Sequence, residues 1–210
     1  MRVLIFGASG VTGRLVVAAA LARGHAVTGF VRNAEKLAIA DRRLTVVVGN
    51  VADPEAVGHA VADHDAVVSC LGVGVTFEPD PAVVAGIGHI VAAMQQYGVS
   101  RLIYLSFLGV GATRRYLGPL LGGVVVPLLL RHEVADHAAK ERLIIASELD
   151  WTIVRPPKLT NGGATGHYRH GEEVRPVPLF PTLARADLAV FILSQLDDRD
   201  YVRKIARIVR

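Results

Sequence analysis

The sequence predicts an α/β fold of the Rossmann type, a doubly wound and mostly parallel sheet in one domain with a small C-terminal substrate-facing segment. Three observations carry that expectation. Short Val/Ile/Leu-rich runs alternate with segments of helical periodicity along most of the chain, the pattern of βαβ units. The first apolar run leads directly into Gly7-x-x-Gly10-x-x-Gly13, and a helix begins within that loop. The chain has 210 residues, 51% hydrophobic and 20% charged, which suits one compact domain and leaves a second one cramped.

Strands are expected at residues 3–6, 26–31, 44–48, 66–70, 102–106 and 151–154. Each is almost uniformly apolar, as a parallel strand covered on both faces should be. Helices are expected at 11–23, 54–63, 81–97 and 131–147, with a weaker one around Glu35. Pro54 and Pro81 suit first-turn positions, where the missing N–H costs nothing. Beyond Pro156-Pro157 the alternation loosens, and residues 156–182 read as a cap facing a substrate. Within it a Gly/Thr/His-rich segment, 161–171, precedes a run at 174–180. A helix near 183–196 and a last strand within 201–209 complete the domain. Residues 117–130 are apolar but interrupted by Gly118, Pro119, Gly122, Gly123 and Pro127. They fall short of the roughly 20 apolar residues of a membrane span and read as a mobile apolar loop.

Composition excludes several classes of function. One cysteine allows no internal disulfide framework and no paired-thiolate metal site, which fits a reducing, cytoplasmic setting. The apolar stretch at the N-terminus ends at Gly7, too soon for a secretory signal. The net charge of +4 is dispersed, without the basic block that tracks phosphate backbones, so no nucleic-acid partner is expected. The oligomeric state is not legible.

The glycine loop has a specific chemistry. Gly7 allows a tight turn, Gly10 lets backbone approach a pyrophosphate, and Gly13 permits close packing, while the helix N-terminus faces the anion. Ser9, Val11 and Thr12 complete the loop. The plainer alternative is a purely structural strand-to-helix turn. Cofactor choice follows from the second strand, which ends Phe30-Val31-Arg32-Asn33 without the carboxylate that binds a free ribose 2′-hydroxyl. Arg32 suits a 2′-phosphate, with Arg14 as a second cation, so NADP(H) is the expected cofactor. The competing reading of Arg32 is a solvated surface residue. Ligands of such sheets lie beyond the carboxyl ends of the strands, which selects Cys70-Leu71-Gly72, Ser106 and Pro156-Pro157-Lys158. Cys70 reads more naturally as a small core residue than as a nucleophile.

Gly7-Ala8-Ser9-Gly10-Val11-Thr12-Gly13 resembles the loop of the extended and atypical short-chain dehydrogenase/reductases. The resemblance continues through Val31-Arg32-Asn33, Gly49-Asn50-Val51, Leu71-Gly72, Ser106, Asp136-His137, the junction Ser147 to Trp151, and Pro156-Pro157. It is similar to the NAD(P)H-binding group that contains biliverdin-IXβ reductase and the NmrA-like proteins. That resemblance implies that Asn50, where the family usually has Asp, accepts from the adenine amino group, and that Val51 packs on the adenine. A turn role for Asn50 is the alternative. It also implies that Ser106 orients nicotinamide or substrate, unless it is a strand-end cap, and that Lys158 stands where biliverdin-IXβ reductase has a histidine near its substrate.

The Tyr-x-x-x-Lys pair of ketone-reducing members is absent, since no tyrosine has a lysine four residues on. Asp136-x-x-x-Lys140 has that spacing without a phenol and reads as a surface pair. No metal site is expected, and His167-x-x-His170 reads as loop histidines. The leading function is an NADPH-dependent reductase of a conjugated, anionic small-molecule acceptor such as a flavin, quinone or tetrapyrrole. Arg114, Arg115, Arg131 and Lys158 would supply its positive rim. The alternatives are a non-catalytic NmrA-like NADP(H) sensor and an epimerase-like isomerase that retains its nicotinamide.

Overall fold

The computed structural model describes residues 1–72, 80–117, 121–176 and 181–210. The parallel core of the sheet is built from β1 (Arg2–Phe6), β2 (Ala26–Val31), β3 (Leu44–Val48), β4 (Ala66–Ser69), β5 (Arg101–Leu105) and β6 (Asp150–Arg155). Two short strands, β7 (Lys158–Thr160) and β9 (Thr182–Ala184), pair in parallel as a separate ribbon. With β8 (Arg169–Gly171) and β10 (Lys204–Val209) included, the main sheet has the order β3-β2-β1-β4-β5-β6-β10-β8. Only the β10–β8 pairing, at the far edge, is antiparallel. Strand order therefore reverses at β1 and β4, and that crevice lies beside the end of the glycine loop.

Uniformly apolar strands follow from this layering. Val3 and Ile5 of β1 face α1 (Val11–Ala22) and α6 (Arg185–Ser194), meeting Val16, Val17, Phe191 and Ile192. Leu4 and Phe6 face the opposite layer, made by α2 (Pro54–Val61), α3 (Pro81–Gln96) and α5 (Arg131–Ile145). Alternate side chains enter different cores, and both cores are apolar. Pro54 and Pro81 sit in the first turns of α2 and α3, behind the capping carboxylates of Asp53 and Asp80.

Several expectations need correction. Residues 121–130 are not a loop. They form a π-helical turn, Leu121–Val125, followed by α4 (Val126–Leu129), while a 3₁₀ segment, Gly111–Leu117, precedes them. Leu108, Leu117 and Val126 bury one another in a small third core, and Pro127 falls in the first turn of α4, where it breaks nothing. Residues 118–120 lie outside the described residues. β3 is an edge strand, with Val46 and Val48 exposed, so its apolar composition does not mark burial on both faces. No strand forms at 174–176, and 177–180 lie outside the described residues. The cap segment instead contributes β7, β8 and β9, three-residue strands below the length at which alternation is readable.

A Cβ at Gly13 would lie 2.1 Å from the Gly7 carbonyl oxygen, whereas one at Gly72 meets nothing within 4 Å among the described residues. Gly13→Ala is therefore expected to lower stability by about 1 to 3 kcal/mol. Gly72→Ala should change it by less than about 0.5 kcal/mol. Urea unfolding of both variants checks this, and equal midpoints would show that the loop does not need the close approach.

Candidate active site

The glycine loop closes on itself through backbone. Gly7 has φ +74°, and a Cβ there would meet the Cys70 carbonyl at 2.8 Å, so the turn leaving β1 is pressed against the exit of β4. The Gly10 N–H donates to the Gly7 carbonyl at 3.0 Å, and Gly10 is the N-cap of α1. Gly13 lies over the loop's own backbone, as its 2.1 Å limit shows, so its packing partner is Gly7 and not a neighbouring strand. α1 starts without a side-chain cap and without an acidic residue in its first turn, whereas α2 and α3 begin behind Asp53 and Asp80. Its first N–H groups are left for an external acceptor. An exposed Gly10 and Val11, a half-buried Ser9 and Thr12, and a Gly72 with no close neighbour among the described residues fit a dinucleotide laid across this end of the sheet.

The cations expected there are exposed. Arg14 Nε donates to the Ser9 carbonyl at 2.9 Å, which folds the guanidinium over the loop. Arg32 stands at the exit of β2, exposed, and makes no hydrogen bond among the described residues, while Asn33 caps the turn that follows. Asn50 Oδ1 accepts from the Ala52 N–H at 3.1 Å, the turn role; its second lone pair is left for a ligand. Val51 is buried among core residues, packed so tightly on Gly86 of α3 that a Cβ there would come within 2.7 Å of its side chain. Leu71 packs against the same core. Cys70 is half-buried against the core, and burial pushes its thiol up to about 12, which disfavours the thiolate a nucleophile needs.

Beyond β5 and β6 the site is built from buried polar side chains. Ser106, 5% exposed, donates its hydroxyl to Glu141 Oε1 at 2.5 Å. Glu141 lies on α5 and receives both Nε (2.9 Å) and Nη2 of Arg155, the last residue of β6. Arg155 Nη1 reaches the Val110 carbonyl and Thr113 Oγ1, both at 3.2 Å. Behind this lies a second buried pair, Tyr104 Oη and His137 Nδ1 at 2.8 Å. Burial, then the charges of Lys140 and Arg155, hold the imidazole down to about 3, so it is neutral. Burial, then the carboxylates of Glu141 and Asp136, push the Tyr104 phenol well up.

Two sequence readings are corrected by this cluster. Asp136 and Lys140 are not a surface pair. Both are buried, no ion pair joins them among the described residues, and Asp136 Oδ2 accepts from the Asp80 N–H at 3.0 Å. His137, Lys140, Glu141 and Ile144 form the inward stripe of α5, so a stripe that is mostly polar carries the packing. The proposed positive rim is dispersed as well. Arg114 and Arg115 lie in the 3₁₀ segment, Arg131 begins α5 and donates to His132, and Lys158 is exposed on β7. No hydrogen bond joins Lys158 to Ser106. Pro156 is buried and accepts from the Leu108 N–H at 2.9 Å, fixing the strand exit. His170 bonds the Tyr201 hydroxyl at 2.8 Å and His167 is exposed; among the described residues no group of three metal-ligating side chains occurs. Glu141, Arg155, Tyr104 and His137 were missed by the sequence reading. The available signal was an arginine closing a mostly apolar strand.

A family model described as NAD(P)H-binding matches residues 7–199. The chain belongs to that family. It is 34% identical over 189 residues to a 3-diazoavenalumate denitrifying reductase of a Streptomyces species, covering 81% of this chain and 60% of that protein. Across five curated relatives the chain spans 31% to 62% of their length. Among solved structures, ChuY, an anaerobilin reductase from Escherichia coli O157:H7, superposes with a TM-score of 0.82 at 21% identity, covering 100% of this chain and 97% of that one. A short-chain dehydrogenase/reductase from Veillonella parvula in complex with NADP gives 0.81 at 20%, covering 100% and 94%. These two structures share the fold.

The buried imidazole carries a pH dependence. An unfolded histidine titrates near 6.5 and the folded His137 near 3, so between those values the unfolded chain binds the extra proton. Its contribution to stability is complete above about pH 6.5 and is lost as the pH falls toward 3. The urea midpoint should drop through that window, and His137→Gln should make the drop shallower; an unchanged acid limb in the variant would reject this role.

Proposed function

We propose that this protein is an NADPH-dependent reductase whose acceptor is a conjugated small molecule, such as a flavin, quinone or tetrapyrrole. The observation that carries this reading is the commitment of the Ser106 hydroxyl to Glu141, itself held by Arg155. A serine that already donates to a carboxylate can accept a hydrogen bond from substrate but has no proton to give. The Tyr104 phenol, fully buried and bonded to His137, is equally unsuited. Hydride transfer to an isolated ketone builds a localised alkoxide that needs a proton donor at that moment. A conjugated acceptor spreads the charge and takes its proton from water, so positioning over the nicotinamide does most of the work. Membership of the NAD(P)H-binding family, and reductases among its relatives, support the same direction.

Binding of the cofactor falls to Gly7, Ser9, Gly10, Val11, Thr12 and Gly13 at the pyrophosphate, with Leu71, Gly72 and Pro156 along the cleft. Asn50 and the edge of Val51 would meet the adenine. When bound, NADPH supplies the hydride. The exposed Arg32 supports NADPH over NADH through a charge-assisted contact worth about 1.5 to 3 kcal/mol.

Two measurements test the proposal. Calorimetric titration should show NADPH bound at least tenfold more tightly than NADH, with Arg32→Asp reversing the order; equal affinities in the native protein would reject the phosphate role. NADPH oxidation should be readily measured with flavin mononucleotide, a quinone or biliverdin, and be slow with aliphatic ketones. Ser106→Ala should reduce turnover by less than about tenfold, because an orienting group and not a proton source is lost. Fast ketone reduction abolished by that substitution would overturn the reading, and NADPH binding without turnover of any acceptor would favour an NmrA-like sensor.

A further inference from the structure

We propose a second anion site, remote from the glycine loop, in which Arg115, Arg175 and Arg207 gathered around Tyr116 recognise a small organic polyanion seated in the adjoining cavity. The three guanidinium carbons lie 4.9, 5.2 and 4.8 Å from the centroid of the one phenol ring. By that geometry they are at most about 10 Å apart, no more than the Debye length in 0.1 M salt, so their charges repel with little screening. Among the described residues none of the three forms an ion pair. Tyr116 feels the same field. Its hydroxyl is held below the ordinary phenol value, first by the hydrogen bond from Arg115 and further by the charges of Arg115, Arg207 and Arg175.

Arg207 joins this cluster to a cavity of about 330 Å³, large enough for a small ligand. Trp151 and Ile205 give the cavity apolar wall, and its charged lining comprises Arg155, Arg203, Lys204, Arg207 and a single carboxylate, Glu172. Most of these charges already have partners. Arg155 holds Glu141, Lys204 holds Glu172, and Arg203 donates to the carbonyls of Glu148 and Leu149. Arg207 differs, because among the described residues Nη1 makes only a 3.3 Å contact to the Val174 carbonyl and its buried Nε has no partner. Arg207 lines the cavity, and a guanidinium there suits a carboxylate or phosphate, to which its planar group donates charge-assisted hydrogen bonds. In the sheet order β10 stands four strands from β1, about 19 Å at 4.8 Å per strand. The dinucleotide pyrophosphate at the glycine loop is therefore not the anion in question.

The experiment is calorimetric titration of inorganic pyrophosphate and of citrate into the native protein, with and without saturating NADPH. Saturable binding unaffected by NADPH is expected, and the preferred probe separates a phosphate from a polycarboxylate ligand. Arg175→Gln, at an exposed position, and Arg207→Gln should each weaken binding about tenfold or more while NADPH affinity and circular dichroism stay unchanged. Ultraviolet titration of the phenols should show Tyr116 ionising at higher pH when the anion is bound, a signal that Tyr116→Phe removes. Absence of saturable binding, displacement of either probe by NADPH, or full retention of affinity in Arg175→Gln would overturn the proposal. Should Arg207→Gln lose its fold, the Arg175 variant and the Tyr116 signal decide the matter.

Discussion

The buried ion pair between Glu141 and Arg155 is the interaction on which the chain beyond β5 and β6 rests. It ties α5 to the end of β6, and from the same guanidinium a third nitrogen fastens Val110 and Thr113. Thr113 Oγ1 in turn lies 2.7 Å from the carbonyls of Leu108 and Val110, so the chain leaving β5 is pinned at several backbone oxygens. Removing one partner of such a pair costs about 3 to 5 kcal/mol, because the other is left as an uncompensated charge in the interior. Ser106 adds a third ligand to the carboxylate, which explains why a hydroxyl at a strand end is so fully buried. The burial of Ser106 and the anchoring of α5 to β6 are thus served by one network.

The two halves of the site are specified by different means. On the cofactor side the geometry is made by backbone: a left-handed Gly7, a Gly13 with no room for a methyl group, and a helix that starts without a capping carboxylate. Such a site needs little side-chain reorganisation to receive a pyrophosphate. Beyond β5 and β6 it is made by charged and hydroxyl side chains satisfied within the protein.

This difference governs what was legible in the sequence. Backbone devices leave a sequence trace, since only glycine satisfies them, and the loop could be read residue by residue; β1 to β6 were equally plain because both faces are apolar. Glu141, His137 and Lys140 were opaque for the opposite reason. Buried polar residues on a helix look like an exposed face, and nothing in spacing alone distinguishes Asp136-x-x-x-Lys140 on the surface from the same residues under α3. The helical turns between 111 and 129 were hidden by their glycines and prolines, which punctuate loops elsewhere; here Gly122 passes so close to the Arg114 carbonyl that a Cβ would stand 2.3 Å from it, and that requirement is tertiary.

The far edge of the sheet follows from the same balance of packing and charge. Ala206 and Ile208 of β10 enter the core under α1 and α6, as β-strand alternation requires. Their neighbours Arg203, Ile205 and Arg207 point to the other face, where a cavity stands in place of a continued apolar layer. Guanidinium groups are tolerated there because carbonyls of the junctions before β6 and after β8 accept their protons and the aromatic face of Tyr116 covers one of them. A sheet that ended in apolar residues on both faces would present an adhesive edge. Arginines on this face, one strand in from the edge strand β8, keep it solvated and concentrate positive charge along β6 and β10.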